Sequence, residues 1–143
     1  MSPTAAAEAF ERAPLLAGRI ADGDPESVIA QARRIIADLT EAERIAVLDA
    51  HPRIGATRDL SARSAAEQRA GEATDPEILA ALAELNDAYE HRFGFRCVVF
   101  VQGRSRADIV PVLRARLART RDQELATGIE EFLAIARDRL TRR

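Results

Sequence analysis

Apolar residues recur at helical spacing along most of this chain. Val28, Ile29, Ala32, Ile35, Ile36 and Leu39 follow one another at three- and four-residue steps, with Arg33, Arg34 and Asp38 elsewhere on the wheel. Asp24-Pro25 predicts where that helix begins, an N-cap followed by proline at the first helical position. Thr40-Glu41-Ala42-Glu43 is a capping box that opens the next helix, with Ile45 and Leu48 on its apolar side. That helix is expected to run into His51 and stop there, because the residue before Pro52 avoids helical dihedrals. Upstream, Thr4 predicts a short helix ending near Arg12, and a second short one precedes Asp22-Gly23.

Beyond Pro52 the periodicity lapses, and 52–63 reads as a loop. Ser64 predicts another helix start, closed early by Gly71. Asp75-Pro76-Glu77 starts a longer helix with Ile78, Leu79, Leu82, Leu85 and Tyr89 on one face and Gly94 as its C-cap. Phe95 to Val101 breaks the pattern: it is β-branched and aromatic, and propensity alone makes it extended. One strand makes no sheet, so the expectation near 95–101 is a buried apolar segment, extended or irregular, threaded through helices. Ser105 to Asp108 is a further capping box, with Pro111 implying a kink or a later true start. Val112, Leu113 and Leu117 carry that helix inward. Thr120 to Gln123 opens the last helix, whose apolar stripe is Leu125, Ile129, Phe132, Leu133, Ala136 and Leu140. The fold class is all-α, a compact single-domain bundle over 1–143 with roughly seven to nine helices.

Composition agrees and excludes several functions. Apolar residues make up 47% and aromatics 4% of 143 residues, so Ala, Leu, Ile and Val must build the core. The 21 basic residues are dispersed among 23 acidic ones, which leaves no basic stripe for nucleic acid. Cys97 stands alone, so an intramolecular disulfide is excluded and a reducing compartment suits the chain. Neither a signal peptide nor a membrane-crossing run is present. No peroxisomal tripeptide closes the chain, and the expected location is a bacterial cytoplasm.

Few residues are placed to do chemistry. His51 is one; capping of the helix end would account for it, but Pro52 and Gly55 stiffen its loop, and a fixed histidine makes a good general acid or base. His91, between Glu90 and Arg92, is expected to face solvent. Ser64 and Glu67 satisfy the capping-box pattern by themselves. Gln68 adds an amide on the same helix face, so the three could together address one polar ligand. Arg92, at a helix end, and Arg139, beside the last apolar stripe, are candidates for holding a carboxylate or a pair of carbonyls. Cys97 lies in the most apolar run, where a thiol is normally inert. Two histidines and one cysteine without ligand spacing argue against zinc, and no glycine-rich loop cradles a phosphate.

Four blocks in order carry a resemblance over about Phe10 to Leu140. They are His51-Pro52-Arg53-Ile54-Gly55, Ser64-Ala65-Ala66-Glu67-Gln68, the stretch from Leu85 to Phe95 with the apolar run after it, and Ile135 to Leu140. Together they resemble the 2-oxo-4-hydroxy-4-carboxy-5-ureidoimidazoline (OHCU) decarboxylase family, which forms (S)-allantoin in urate degradation. The resemblance implies an all-α homodimer that needs no metal or other cofactor, because the substrate carries its own electron sink. It implies His51 and Glu67 as catalytic residues, with His51 moving a proton and Glu67 holding the ureido and ring N–H groups. It further implies Pro52, Ser64, Gln68, Arg92, Arg139 and the backbone of Cys97, Val98, Val99, Phe100 and Val101 as substrate contacts. Three features depart from the family pattern. Cys97 replaces an aromatic, which thins the expected pocket wall; tryptophan is missing; and Arg119-Thr120 replaces an asparagine-containing turn. A helical interaction module that keeps the fold, or a related decarboxylase or tautomerase acting on another ureide, are the competing readings.

Overall fold

The computed structural model describes residues 10, 19–21, 23–55 and 76–142. Five helices occur among them: α1 Pro25–Ala37, α2 Glu41–Asp49, α3 Pro76–Phe93, α4 Arg106–Leu117 and α5 Arg121–Thr141. No strand occurs among the described residues. The fold is thus all-helical as expected, with five helices in view against roughly seven to nine anticipated. The expected helices near 4–12 and 64–71 lie outside the described residues.

Local chemistry explains where these helices begin. Asp24 Oδ1 accepts from the Ser27 N–H at 2.9 Å, and Pro25 takes the first helical position of α1. Thr40, Ser105 and Thr120 each close a reciprocal box with Glu43, Asp108 and Gln123, respectively, at the starts of α2, α4 and α5. At the far end of α3, Gly94 adopts φ +82° and donates its N–H to the Glu90 carbonyl at 2.8 Å, a left-handed C-cap.

Two boundaries differ from expectation. α2 stops at Asp49, not His51: Ala50 caps it and the His51 N–H closes a last tight turn on Leu48 at 3.1 Å. Of the kink or later start anticipated for α4 at Pro111, the later start does not occur either. Its capping box fixes the first turn from Arg106, and Pro111 and Ala107 are both exposed, so the carbonyl that proline leaves unpaired meets water.

α5 is the spine of the bundle. α1 and α2 pack on it, while α3 packs on α4. Phe132, Leu133, Ile135 and Ala136 of α5 are buried together with Val28, Ala32, Leu48, Leu82, Ile109 and Leu113. α2 comes close to α5 at Gly128, where an added Cβ would lie 3.0 Å from Leu48 Cδ1. Gly128→Val should therefore overpack this crossing and cost about 1–3 kcal/mol. In thermal unfolding that corresponds to a melting point lower by roughly 3–10 °C; an unchanged melting point would mean that the helices can separate without loss.

Phe95 to Val101 connects α3 to α4 without regular structure, and Phe95, Cys97, Val98, Val99 and Val101 are all buried. The run ends in a tight turn. The Arg104 N–H reaches the Val101 carbonyl at 3.0 Å, and both central residues are left-handed, Gln102 at φ +56° and Gly103 at +76°. The expectation of one buried, irregular apolar segment among helices holds.

Candidate functional site

His51 follows α2 directly, and three elements fix its loop. From the buried run, the Arg96 guanidinium donates to the Asp49 carbonyl at 3.0 Å and the His51 carbonyl at 2.9 Å. The Arg96 N–H also donates to Asp49 Oδ1 at 2.9 Å. A cation is well placed here, where the helix leaves carbonyls without intrahelical partners. From α3, buried Asn86 donates Nδ2 to the Ile54 carbonyl at 3.0 Å, and Arg53 bridges Glu90 and Asp87, both at 2.6 Å. From α5, Phe132 meets the half-buried His51 ring edge-on, with centroids 5.7 Å apart. Gly55 ends this clamped stretch at φ +84°, where a side chain would press on Leu82. The imidazole therefore stands on a braced support, with Pro52 half-buried beside it.

The buried run starts at that same place, since Arg96 belongs to both. Side chains take up part of its backbone. The Val98 carbonyl accepts from Arg116 NH1 at 2.5 Å, and the Phe100 N–H donates to Glu131 Oε1 at 3.2 Å. The Phe100 and Val101 carbonyls accept from the Arg104 side chain at 2.7 and 3.0 Å. The N–H groups of Cys97, Val98, Val99 and Val101, and the carbonyls of Cys97 and Val99, have no hydrogen-bond partner among the described residues. Buried main-chain groups are nearly always paired, so groups of this kind call for a polar partner.

Behind the run lies a polar cluster. Glu124 is fully buried on α5 and accepts from the Tyr89 hydroxyl at 2.6 Å, from Arg116 Nε at 2.6 Å and from Arg119 NH1 at 2.8 Å. Arg116 lies with its Cζ 5.7 Å from the Tyr89 ring centroid, and its NH2 is buried without a partner. The Cys97 thiol sits in this cluster with Tyr89, Arg116 and Glu124 around it, and burial pushes it up to about 12. Such a thiol is no nucleophile at neutral pH. Burial likewise raises the Tyr89 hydroxyl above its ordinary value, so it stays protonated and donates.

The remaining candidates are scattered. Arg139 is 2% exposed on α5, seven residues beyond Phe132 and hence on the same side of the helix. Arg92 is exposed; it donates to the Arg119 carbonyl at 3.2 Å and lies over the Phe93 ring. His91 is exposed, as its neighbours implied. Ser64, Glu67 and Gln68 lie outside the described residues. Among the described residues no group of three or more His, Cys, Asp and Glu is arranged to hold a metal, and no helix is long and apolar enough to cross a membrane.

The sequence reading passed over Arg96, Arg104, Arg116, Glu124 and Glu131. One of them left a trace. Glu124 stands four and eight residues before Gly128 and Phe132, which puts a carboxylate on the apolar stripe of α5.

Comparison with known proteins gives a consistent set of relatives. A family model described as OHCU decarboxylase matches residues 3–141. The chain is 28% identical over 142 residues to the 2-oxo-4-hydroxy-4-carboxy-5-ureidoimidazoline decarboxylase of Haloferax volcanii, covering 95% of this chain and 84% of that one. It is 31% identical over 138 residues to the uric acid degradation bifunctional protein PucL of Bacillus subtilis, covering 92% of this chain and 28% of that longer protein. Among solved structures, an OHCU decarboxylase crystallised in the presence of (S)-allantoin matches with a TM-score of 0.74 and 25% identity, covering 94% of this chain and 91% of that one. An (S)-allantoin synthase shares the fold at a TM-score of 0.63 and 21% identity, over 96% of this chain and 44% of that one.

Proposed function

This chain belongs to the OHCU decarboxylase family, and we propose that His51 and the buried run after Arg96 are two walls of its substrate pocket. It is a carboxy-lyase that converts 2-oxo-4-hydroxy-4-carboxy-5-ureidoimidazoline to (S)-allantoin and carbon dioxide. The substrate's name fixes the electron flow. Carboxylate and hydroxyl share one ring carbon, the ureido group sits on the next, and the ring holds a carbon–nitrogen double bond. As carbon dioxide leaves, the bond pair moves between the two ring carbons and the double-bond pair onto nitrogen, whose negative charge the adjoining 2-oxo carbonyl shares on its oxygen. The hydroxyl then gives up its proton as its carbon becomes a carbonyl, and a proton added to one face of the ureido carbon sets the S configuration. One proton is consumed overall.

This chemistry asks the protein for three things. The ring must be held with its carboxylate across the π-system, developing charge must meet fixed donors, and a proton must arrive on one face. His51 delivers or collects that proton at the reacting carbons or the hydroxyl. The N–H groups of Cys97, Val98, Val99 and Val101 meet the carbonyl and developing anionic oxygens, with Arg139 as a further cation. Glu67 accepts from the ureido and ring N–H groups, while Ser64, Gln68 and Pro52 complete the contacts and Arg92 stands at the periphery. On this reading the protein is a single-domain cytoplasmic homodimer that acts without a metal or other cofactor.

The observation that carries this assignment is the set of buried main-chain groups from Cys97 to Val101 without partners among the described residues, next to Arg96, the residue bonded to the His51 carbonyl. Hydrogen-bond donors without partners in an apolar wall suit an oxyanion better than they suit protein stability. The test generates the substrate in place from urate with urate oxidase and hydroxyisourate hydrolase, then follows circular dichroism. Uncatalysed decay yields racemic allantoin. The protein should therefore produce a lasting signal of a single sign, and an unchanged signal at high protein concentration would defeat the assignment.

A further inference from the structure

Three side chains grip three successive peptide groups of the buried run. Arg116 holds the Val98 carbonyl, Glu131 the Phe100 N–H and Arg104 the Phe100 carbonyl. Among the described residues no peptide bond is cis. In a planar trans peptide the carbonyl and the following N–H point in opposite directions. Gripping one half of each peptide therefore aims the other half away from the grip. The halves so aimed are the Val99 N–H, the Val99 carbonyl and the Val101 N–H, all without a partner among the described residues. Val99 thus has its N–H turned away from Arg116 and its carbonyl turned away from Glu131.

Arg116 is the costly member of this set. Its guanidinium is buried, it needs the buried Glu124 as counter-ion, and its NH2 has no partner among the described residues. A buried ion pair is a poor way to gain stability compared with apolar residues of the same volume. It is a good way to hold a rigid fork at a fixed angle. The fork has Nε on Glu124 and NH1 on the Val98 carbonyl, and Glu124 is itself held by Tyr89 from α3 and Arg119 from the α4–α5 turn. A cation on the carbonyl also polarises the peptide and makes the Val99 N–H a stronger donor.

From this geometry we infer that Arg116 is a positioning residue for the decarboxylation, aiming the Val99 N–H, through the Val98–Val99 peptide, at the oxygen where negative charge develops. The inference rests on the pocket assignment above. Its test compares Arg116→Lys, which keeps the charge and loses the fork, with Ser105→Ala, which removes the N-cap of the same helix and touches no part of the run. Both are assayed at a temperature where circular dichroism shows them fully folded. Arg116→Lys should lower kcat about 10–100-fold, somewhat less than outright loss of an oxyanion donor, with KM changed less than about threefold. Ser105→Ala should stay within about twofold of the wild type in both.

A second readout follows the amide directly. Bound (S)-allantoin should slow hydrogen exchange at Val99 in the wild type and in Ser105→Ala, and should lose that protection in Arg116→Lys. Should Arg116→Lys not fold, Glu124→Gln keeps the shape and loosens the fork, with kcat expected to fall about 3–10-fold and the same protection weakened. Unaltered kcat together with retained Val99 protection, in whichever variant folds, would overturn the positioning role. A wild-type protein that yields no (S)-allantoin would instead overturn the pocket assignment on which it rests.

Discussion

Replacing His51 by alanine should abolish stereoselective turnover while leaving the fold intact. General acid–base catalysis by a placed side chain is worth about 10²–10⁴-fold, so kcat should fall into that range of loss with KM little altered. The fold should survive because the loop is braced by its backbone and neighbours: Arg96 on the Asp49 and His51 carbonyls, Asn86 on the Ile54 carbonyl and Arg53 on α3. The ring itself contributes an edge contact to Phe132, whose other aromatic neighbour is Phe10 at 5.8 Å. Activity and far-ultraviolet dichroism measured on one sample decide the matter. Residual kcat within tenfold of the wild type would remove His51 from the proton path. Glu67→Ala is the companion measurement: a loss of activity at full helicity supports a ligand contact, whereas a lower melting point alone leaves Glu67 as the partner of Ser64 in a capping box.

Glu124→Ala should be the most destabilising single change in the described core. Glu124 is 0% exposed and serves three donors at once. Its loss would strand the Arg116 charge with only the Val98 carbonyl, and would leave the buried Tyr89 hydroxyl without an acceptor. Breaking a buried pair from one side costs about 3–5 kcal/mol because the surviving charge stays desolvated. In urea unfolding the midpoint should shift accordingly with an unchanged slope, since the surface exposed is nearly the same. Glu124→Gln keeps a carbonyl for Tyr89 or Arg116 and should lose less. A cost below about 1 kcal/mol for Glu124→Ala would mean that water enters the cluster and solvates Arg116.

What the sequence revealed and what it concealed divide along a physical line. Helix starts were legible at Asp24, Thr40, Ser105 and Thr120 because capping is settled within four residues. The irregular run was legible because β-branched and aromatic residues from Phe95 to Val101 conflict with everything around them. The end of α2 was misjudged by two residues, since Pro52 restricts His51 but does not dictate how the turn before it closes. Of the two outcomes read from Pro111, the later start fails because the Ser105 capping box already fixes the first turn. The grips on the run were concealed for a different reason. Arg116 and Glu131 meet Val98 and Phe100 across 18 and 31 residues of chain, and nothing local distinguishes them from the many other charged residues of this protein. His51 drew notice through its neighbours Pro52 and Gly55, and the four ordered blocks gave it a role.

A recognition surface made of peptide groups has an unusual relation to mutation. Side-chain replacement cannot delete an N–H or a carbonyl, proline excepted. An alanine scan through Cys97, Val98, Val99 and Val101 would therefore change volumes in the core and leave every donor in place. Cys97 illustrates the point, because its thiol lies among Tyr89, Arg116 and Glu124 and its peptide groups would outlast any change of side chain but proline. Heritable retuning of this proposed wall would then enter through residues distant in the chain, such as Arg116 on α4 and Glu131 on α5. Such a wall would drift by reorientation of a fixed alphabet of atoms, and its retuning would be recorded at positions that never touch the substrate.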